Sequence, residues 1–160
     1  MTNNEINLIT KIMGIIGVIF TLIALLTPWG ESAFTFGIIS TQSSPFYIEF
    51  FTNPITQTIG EYLFFAIAMI IIFILTLITL FMGISTVKKI DEAPTNKFLT
   101  LGILLIVDII MYVIAVQLLS GKVGFSVVGY GIGFIMCIIA AIMFFIVFGI
   151  KKMYMPAAAP

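Results

Sequence analysis

Arginine and histidine are absent from this chain of 160 residues, and cysteine occurs once. Without histidine the commonest ligand for zinc, copper or haem is missing, together with the side chain that titrates near neutrality. The single cysteine, Cys137, permits no internal disulfide, no paired-thiol redox centre and no thiolate cage. The residues therefore predict no cofactor, no metal site and no catalytic group, and hence a protein that is not an enzyme. Charge is scarce too: seven lysines against seven acids, net zero, with 9% charged residues in all. A soluble domain carries about a quarter charged residues, so this chain cannot cover a surface bathed in water. Nor does it hold a basic run that could neutralise the phosphates of a nucleic acid.

What the chain does contain is apolar. Hydrophobic residues make up 61%, the mean hydropathy is +1.26, and isoleucine alone fills 32 positions. About twenty apolar residues cross a hydrocarbon core of about 30 Å. Four stretches meet that length, at about 8–29, 62–85, 98–119 and 127–150. The first reads as a retained span rather than a cleaved signal, because Lys11 is its only early cation and no small-x-small site precedes Trp29. The expected fold class is an all-α membrane protein, a single domain built as an antiparallel four-helix bundle in a lipid bilayer.

The lysines predict its orientation, since Lys and Arg collect in cytoplasmic loops. Lys88, Lys89 and Lys97 fall in or beside the 86–97 loop, Lys151 and Lys152 follow the fourth stretch, and Lys11 opens the first. The 30–61 loop carries Glu31, Glu49 and Glu61 and no cation, and the short loop near 120–126 has only Lys122. Six of the seven lysines thus mark one side. Both termini and the 151–160 tail are expected in the cytoplasm, in a multi-pass protein of the cell membrane. Trp29, Tyr62 and Tyr130 would then stand at the outer headgroup belt.

Only the outer loop, 30–61, has room for structure of its own. Phe34, Phe36 and Ile38 alternate with Thr35 and Gly37, and Phe46, Ile48 and Phe50 alternate with Tyr47 and Glu49. That period of two predicts strands, and Thr41-Gln42-Ser43-Ser44-Pro45 between them predicts a turn, giving a small hairpin. Asn53-Pro54 suggests a helix cap leading into the second span. An isolated hairpin is marginal in water, so this one either lies on the helix ends as a lid or keeps some rings exposed. Exposed aromatics would make Trp29, Phe34, Phe36, Phe46 and Tyr47 contact residues for another membrane protein or a second copy.

Polar groups inside the spans are costly and informative. Asp108 stands at the centre of the third stretch, where a carboxylate costs about 3 kcal/mol on insertion scales and must face inward or into water. Tyr112, one turn on, could bond it, and Gln117 nearer the end could bond a neighbouring helix. Helix glue, a subunit contact and ion or proton handling are the three roles open to Asp108. Small residues follow helical spacing at Gly14 and Gly17 in the first span and at Gly129, Gly133, Cys137 and Ala141 in the fourth. Such faces let backbones approach within the bundle or in an oligomer.

Four spans, cytoplasmic termini, a long strand-bearing first outer loop and a short second one form a pattern that resembles the claudin and peripheral-myelin-protein superfamily. The resemblance implies a left-handed four-helix bundle carrying a small extracellular sheet, with Trp29 in Thr27-Pro28-Trp29-Gly30 as the loop tryptophan. The family's Gly-Leu-Trp element and its pair of loop cysteines are missing here, so barrier function and paracellular selectivity do not carry over. What it implies is a structural, adhesive or accessory protein working through its outer loop and helix faces. The rival expectation is a small subunit of an ion- or proton-handling channel or transporter that uses Asp108.

Overall fold

The computed structural model describes residues 3–34, 39–43, 60–90, 93–120 and 125–154. Four helices dominate: α1 (Asn3–Leu26), α2 (Gly60–Lys88), α3 (Asn96–Ser120) and α4 (Ile132–Tyr154). Each is long and apolar enough to cross a membrane. Together they form an integral membrane bundle in which α1 packs on α2 and α4, and α3 packs on α2 and α4.

The register of the contacts makes neighbours antiparallel. An ideal Cβ on Gly14 would sit 2.9 Å from Val87, and one on Gly83 would sit 3.0 Å from Val18. As α1 climbs from 14 to 18, α2 therefore descends from 87 to 83. Gly17 meets Phe144 and Gly102 meets Phe145, which fixes α4 against α1 and α3 in the same way. The inside is built from small, aromatic and hydroxyl-bearing residues: Ala24, Ala115, Ala140, Ala141, Phe98, Phe144, Thr21 and Thr76 are all buried. The outside is isoleucine-rich, with Ile12, Ile19, Ile74, Ile110 and Ile142 about half exposed. In lipid no hydrophobic force draws apolar side chains inward, so close packing and satisfied polar groups decide which face turns in. Buried threonines return their hydroxyl protons to the helix, as Thr21 does to the Gly17 carbonyl (2.8 Å) and Thr79 to that of Leu75 (2.8 Å).

Three strands cap one end of the bundle: β1 (Gly30–Phe34), β2 (Ile39–Ser43) and β3 (Phe125–Tyr130). They form an antiparallel sheet in the order β2-β1-β3. The pairing differs from the sequence expectation in two places. Thr41, Gln42 and Ser43, expected to turn, lie in β2 opposite Ser32, Glu31 and Gly30. The fourth span begins at Ile132 rather than near 127, because 125–130 is a strand. Val127-Val128 and the glycines that follow are poor helix formers, and pairing with β1 takes up their backbone groups. Gly129 therefore belongs to the sheet, and the small-residue face of α4 starts at Gly133. The expected second strand at 46–50 and the Asn53-Pro54 cap lie outside the described residues.

Candidate functional site

Three polar or aromatic arrangements stand out against the apolar background: one in the middle of the bundle and one at each end. In the middle, Asp108 is fully buried on α3. Its Oδ2 accepts a hydrogen bond from Thr76 Oγ1 of α2 at 3.0 Å. The same hydroxyl stands 2.8 Å from the Ile72 carbonyl, so its one proton serves two acceptors. Asp108 Oδ1 is buried with no hydrogen-bond partner among the described residues. The bond expected between Asp108 and Tyr112 is not formed. Asp108 reaches across to α2, whereas the Tyr112 ring packs among aromatics at the sheet end. Cys137 lies close by on α4, its Sγ 3.8 Å from the Leu105 carbonyl, and it is fully buried. Gln117 is on the exposed side of α3.

At the sheet end the sequence Thr27-Pro28-Trp29 solves a local problem. Proline has no N–H, so Pro28 cannot donate to the carbonyl of Ala24, four residues earlier. The Trp29 indole supplies the missing proton: Nε1 donates to Ala24 O at 2.8 Å. This seats Trp29 inside the bundle with 0% exposure. Its ring meets Tyr112 edge-on at 5.4 Å and Phe134 at 6.1 Å, and Tyr130 stacks on Phe134 at 4.6 Å. Such pairs contribute about 0.5–1.5 kcal/mol each beyond burial.

Two backbone bonds close the same end, from Gly131 N to Trp29 O (2.7 Å) and from Gly133 N to Pro28 O (2.8 Å). They demand glycine. A Cβ on Gly131 would stand 2.4 Å from the Pro28 carbonyl oxygen, and one on Gly133 would stand 2.6 Å from Thr27 O. The signal was in the sequence, as glycines at 131 and 133 and a proline four residues after Ala24, but nothing local says that the two segments meet.

Of the expected contact residues, then, Trp29 is an internal pillar that offers no ring to a partner. Phe34 sits in β1. Phe36, Phe46 and Tyr47 lie outside the described residues. Gly14 and Gly17 stand at helix contacts, facing Val87 and Phe144.

The opposite end is organised by a lysine that sequence reasoning treated only as a topological marker. Lys151, in the last turn of α4, is 4% exposed. Its ammonium donates to the carbonyls of Ile90 (2.6 Å) and Ala93 (2.9 Å) and lies 5.6 Å above the Phe98 ring. One cation thus ties α4 to the chain linking α2 to α3. The other lysines of this end lie at a similar depth. Gly14, Val87, Ile90 and Phe98 meet at one point, which places Lys11, Lys88, Lys89 and Lys97 within about a helical turn of it. All four are exposed.

This is the geometry of a multi-pass integral membrane protein. Compared with protein families, curated proteins and solved structures, the chain matches none of them.

Proposed function

We propose that the protein is a non-enzymatic, claudin-like membrane protein that acts through lateral and outer-loop contacts, with both termini in the cytoplasm and the cell membrane as its site. The observation that carries this reading is the rigid mounting of the sheet end. Trp29 is locked to Ala24, two backbone hydrogen bonds join the α1 exit to the α4 entry, and β1 runs on from that junction. A loop is useful for recognition when a rigid scaffold holds its base, and the 30–61 segment starts from such a base. Phe34, Phe36, Phe46 and Tyr47 are the residues through which it would meet another membrane protein or a second copy. Trp29 holds the platform and does not itself make contact.

Photo-crosslinking groups placed singly at 34, 36, 46 and 47 in native membranes test the idea. Capture of a discrete neighbour at two or more of these positions is the expected result. No capture at any of them, with a monomer in mild detergent, would remove the contact reading.

One observation favours a second reading, an ion- or proton-handling subunit: the buried Oδ1 of Asp108 has no hydrogen-bond partner among the described residues. Proton paths need a chain of exchanging groups, and here the visible partner is Thr76 alone. Reconstituted Asp108→Asn protein separates the two readings, since a flux that depends on the carboxyl vanishes and a helix contact persists.

A further inference from the structure

Threonine hydroxyls in α1 and α2 share one habit. Thr10, Thr21 and Thr79 each donate to the carbonyl four residues earlier, at 2.9, 2.8 and 2.8 Å. Thr76 makes the same contact with Ile72 at 2.8 Å, and its Oγ1 also stands 3.0 Å from Asp108 Oδ2. A hydroxyl has one proton to give and two lone pairs with which to receive. If Asp108 is ionised, Thr76 must divide its proton between two acceptors, and the buried Oδ1 receives none among the described residues. A proton on Oδ2 removes the conflict. The bond between the two side chains then reverses, with Oδ2–H donating to Oγ1. The Thr76 proton goes wholly to the Ile72 carbonyl, the shorter of its two contacts.

No cation stands at that depth to hold a carboxylate. On α3 and the two helices packed against it, the described lysines are Lys97, Lys88, Lys151 and Lys152. Lys97 lies eleven residues before Asp108, Lys88 twelve after Thr76 and Lys151 fourteen after Cys137. Each is therefore about 16 Å or more away along its helix axis. On the α4 side, Cys137 spends its thiol proton on the Leu105 carbonyl, one turn before Asp108. A bare carboxylate oxygen in this setting costs far more than the bare carbonyl oxygen of an acid, because a full charge is desolvated with it.

We propose that Asp108 is held as a neutral carboxylic acid with its proton on Oδ2, tying α3 to α2 through Thr76 Oγ1 and on to the Ile72 carbonyl. Each bond of this chain polarises the next. It ends on a backbone carbonyl, which accepts a hydrogen bond and hands no proton on. Asp108 thus acts as a donor between two helices and presents no charge to an ion in mid-membrane. The tie holds whether or not the outer loop meets a partner.

Infrared spectroscopy of the full-length protein tests this, at neutral pH in a detergent free of ester groups. The chain has only two aspartates, Asp91 and Asp108, so aspartate labelled with heavy carbon in its side-chain carboxyl marks these alone. The unchanged chain and D91N are both expected to show the carbonyl stretch of a protonated acid, above the amide band, moved to lower frequency by the label. D108N should lose that band. T76V, shown to fold by its thermal melt, should keep it at higher frequency, because the acid proton no longer has its acceptor. Carboxylate bands alone in D91N, where Asp108 is the one aspartate left, would overturn the proposal without any change inside the bundle. An acid band present in the unchanged chain but lost in D91N would belong to Asp91 and overturn it as well. A band that T76V leaves unmoved would mean that the proton is not given to Thr76, and would remove the tie.

Discussion

The two ends of the bundle solve the same problem, joining helices where backbone groups run out of partners, with different chemistry. At the sheet end the joints are short and sterically tight: an indole replacing a proline's missing N–H, and two glycines admitting two backbone hydrogen bonds. At the lysine end a single flexible side chain gathers two carbonyls from the α2–α3 connection. The first kind of joint tolerates no added atoms. The second depends on one charge at the tip of four methylenes and leaves the remaining lysines of that end exposed to whatever surrounds them. The sheet end is thus held by tight backbone packing, and the lysine end by one buried charge.

That contrast can be broken from either side. The largest effect is expected at the sheet end. Trp29→Ala removes the pillar of the aromatic cluster and returns the Ala24 carbonyl to an unsatisfied state, a loss of about 3–5 kcal/mol. Thermal unfolding in detergent should show it as a large drop. Trp29→Phe should recover most of the packing but not the hydrogen bond. Next comes Lys151→Met, which keeps the stem and removes the ammonium. Two buried carbonyls then lose their donor, at about 1–3 kcal/mol for each group left unpaired, and hydrogen exchange should rise first in residues 89–95.

In the middle, a double-mutant cycle on Asp108→Leu and Thr76→Val should give a coupling of about 0.6 kcal/mol and no more than about 1.7, the range for cross-helix bonds in membranes. Asp108→Asn should sit close to the unchanged protein, because an amide can donate to Thr76 while Thr76 donates to Ile72. A small effect of opposite sign is expected at Gly149, where an added Cβ meets nothing within 4 Å. Gly149→Ala should stabilise α4 by about 0.5–1 kcal/mol, whereas Gly133→Ala, on the same helix at the other end, should destabilise it in the same melt.

Much of the architecture could be read from composition, because a bilayer sets both the length and the polarity of what crosses it. Four runs of apolar residues gave four helices. Their ends moved where the local chemistry differs from hydropathy: Val127 and Val128 are as apolar as the helix after them, yet they pair with β1. Greasiness alone cannot separate a strand from a span when both are apolar. The outer loop was less legible for the same kind of reason. A polar cluster such as Thr41-Gln42-Ser43 serves a turn or an edge strand equally well, and its partner β1 decided for the strand.

Asp108 was visible at once as the one acid in mid-span, but its direction was not. A residue one turn away on the same helix and a threonine 32 positions earlier in the chain are both within reach in principle. Only the packing of α2 on α3 chose Thr76. Lys151 shows the converse, a residue that sequence reading used only as a marker of topology and whose burial no periodicity announces.

By itself, then, the sequence determined that this chain lives in lipid, in four passes, with no histidine and a single cysteine. Those conclusions follow from composition and length, which no arrangement of the chain can alter. The tertiary structure decided which groups meet: the indole with the Ala24 carbonyl, the glycines of the β3–α4 junction with the Pro28–Trp29 backbone, and Lys151 with the α2–α3 connection. Each of these joins residues far apart in sequence or turns a side chain about a helix axis, and distances of that kind are set by packing.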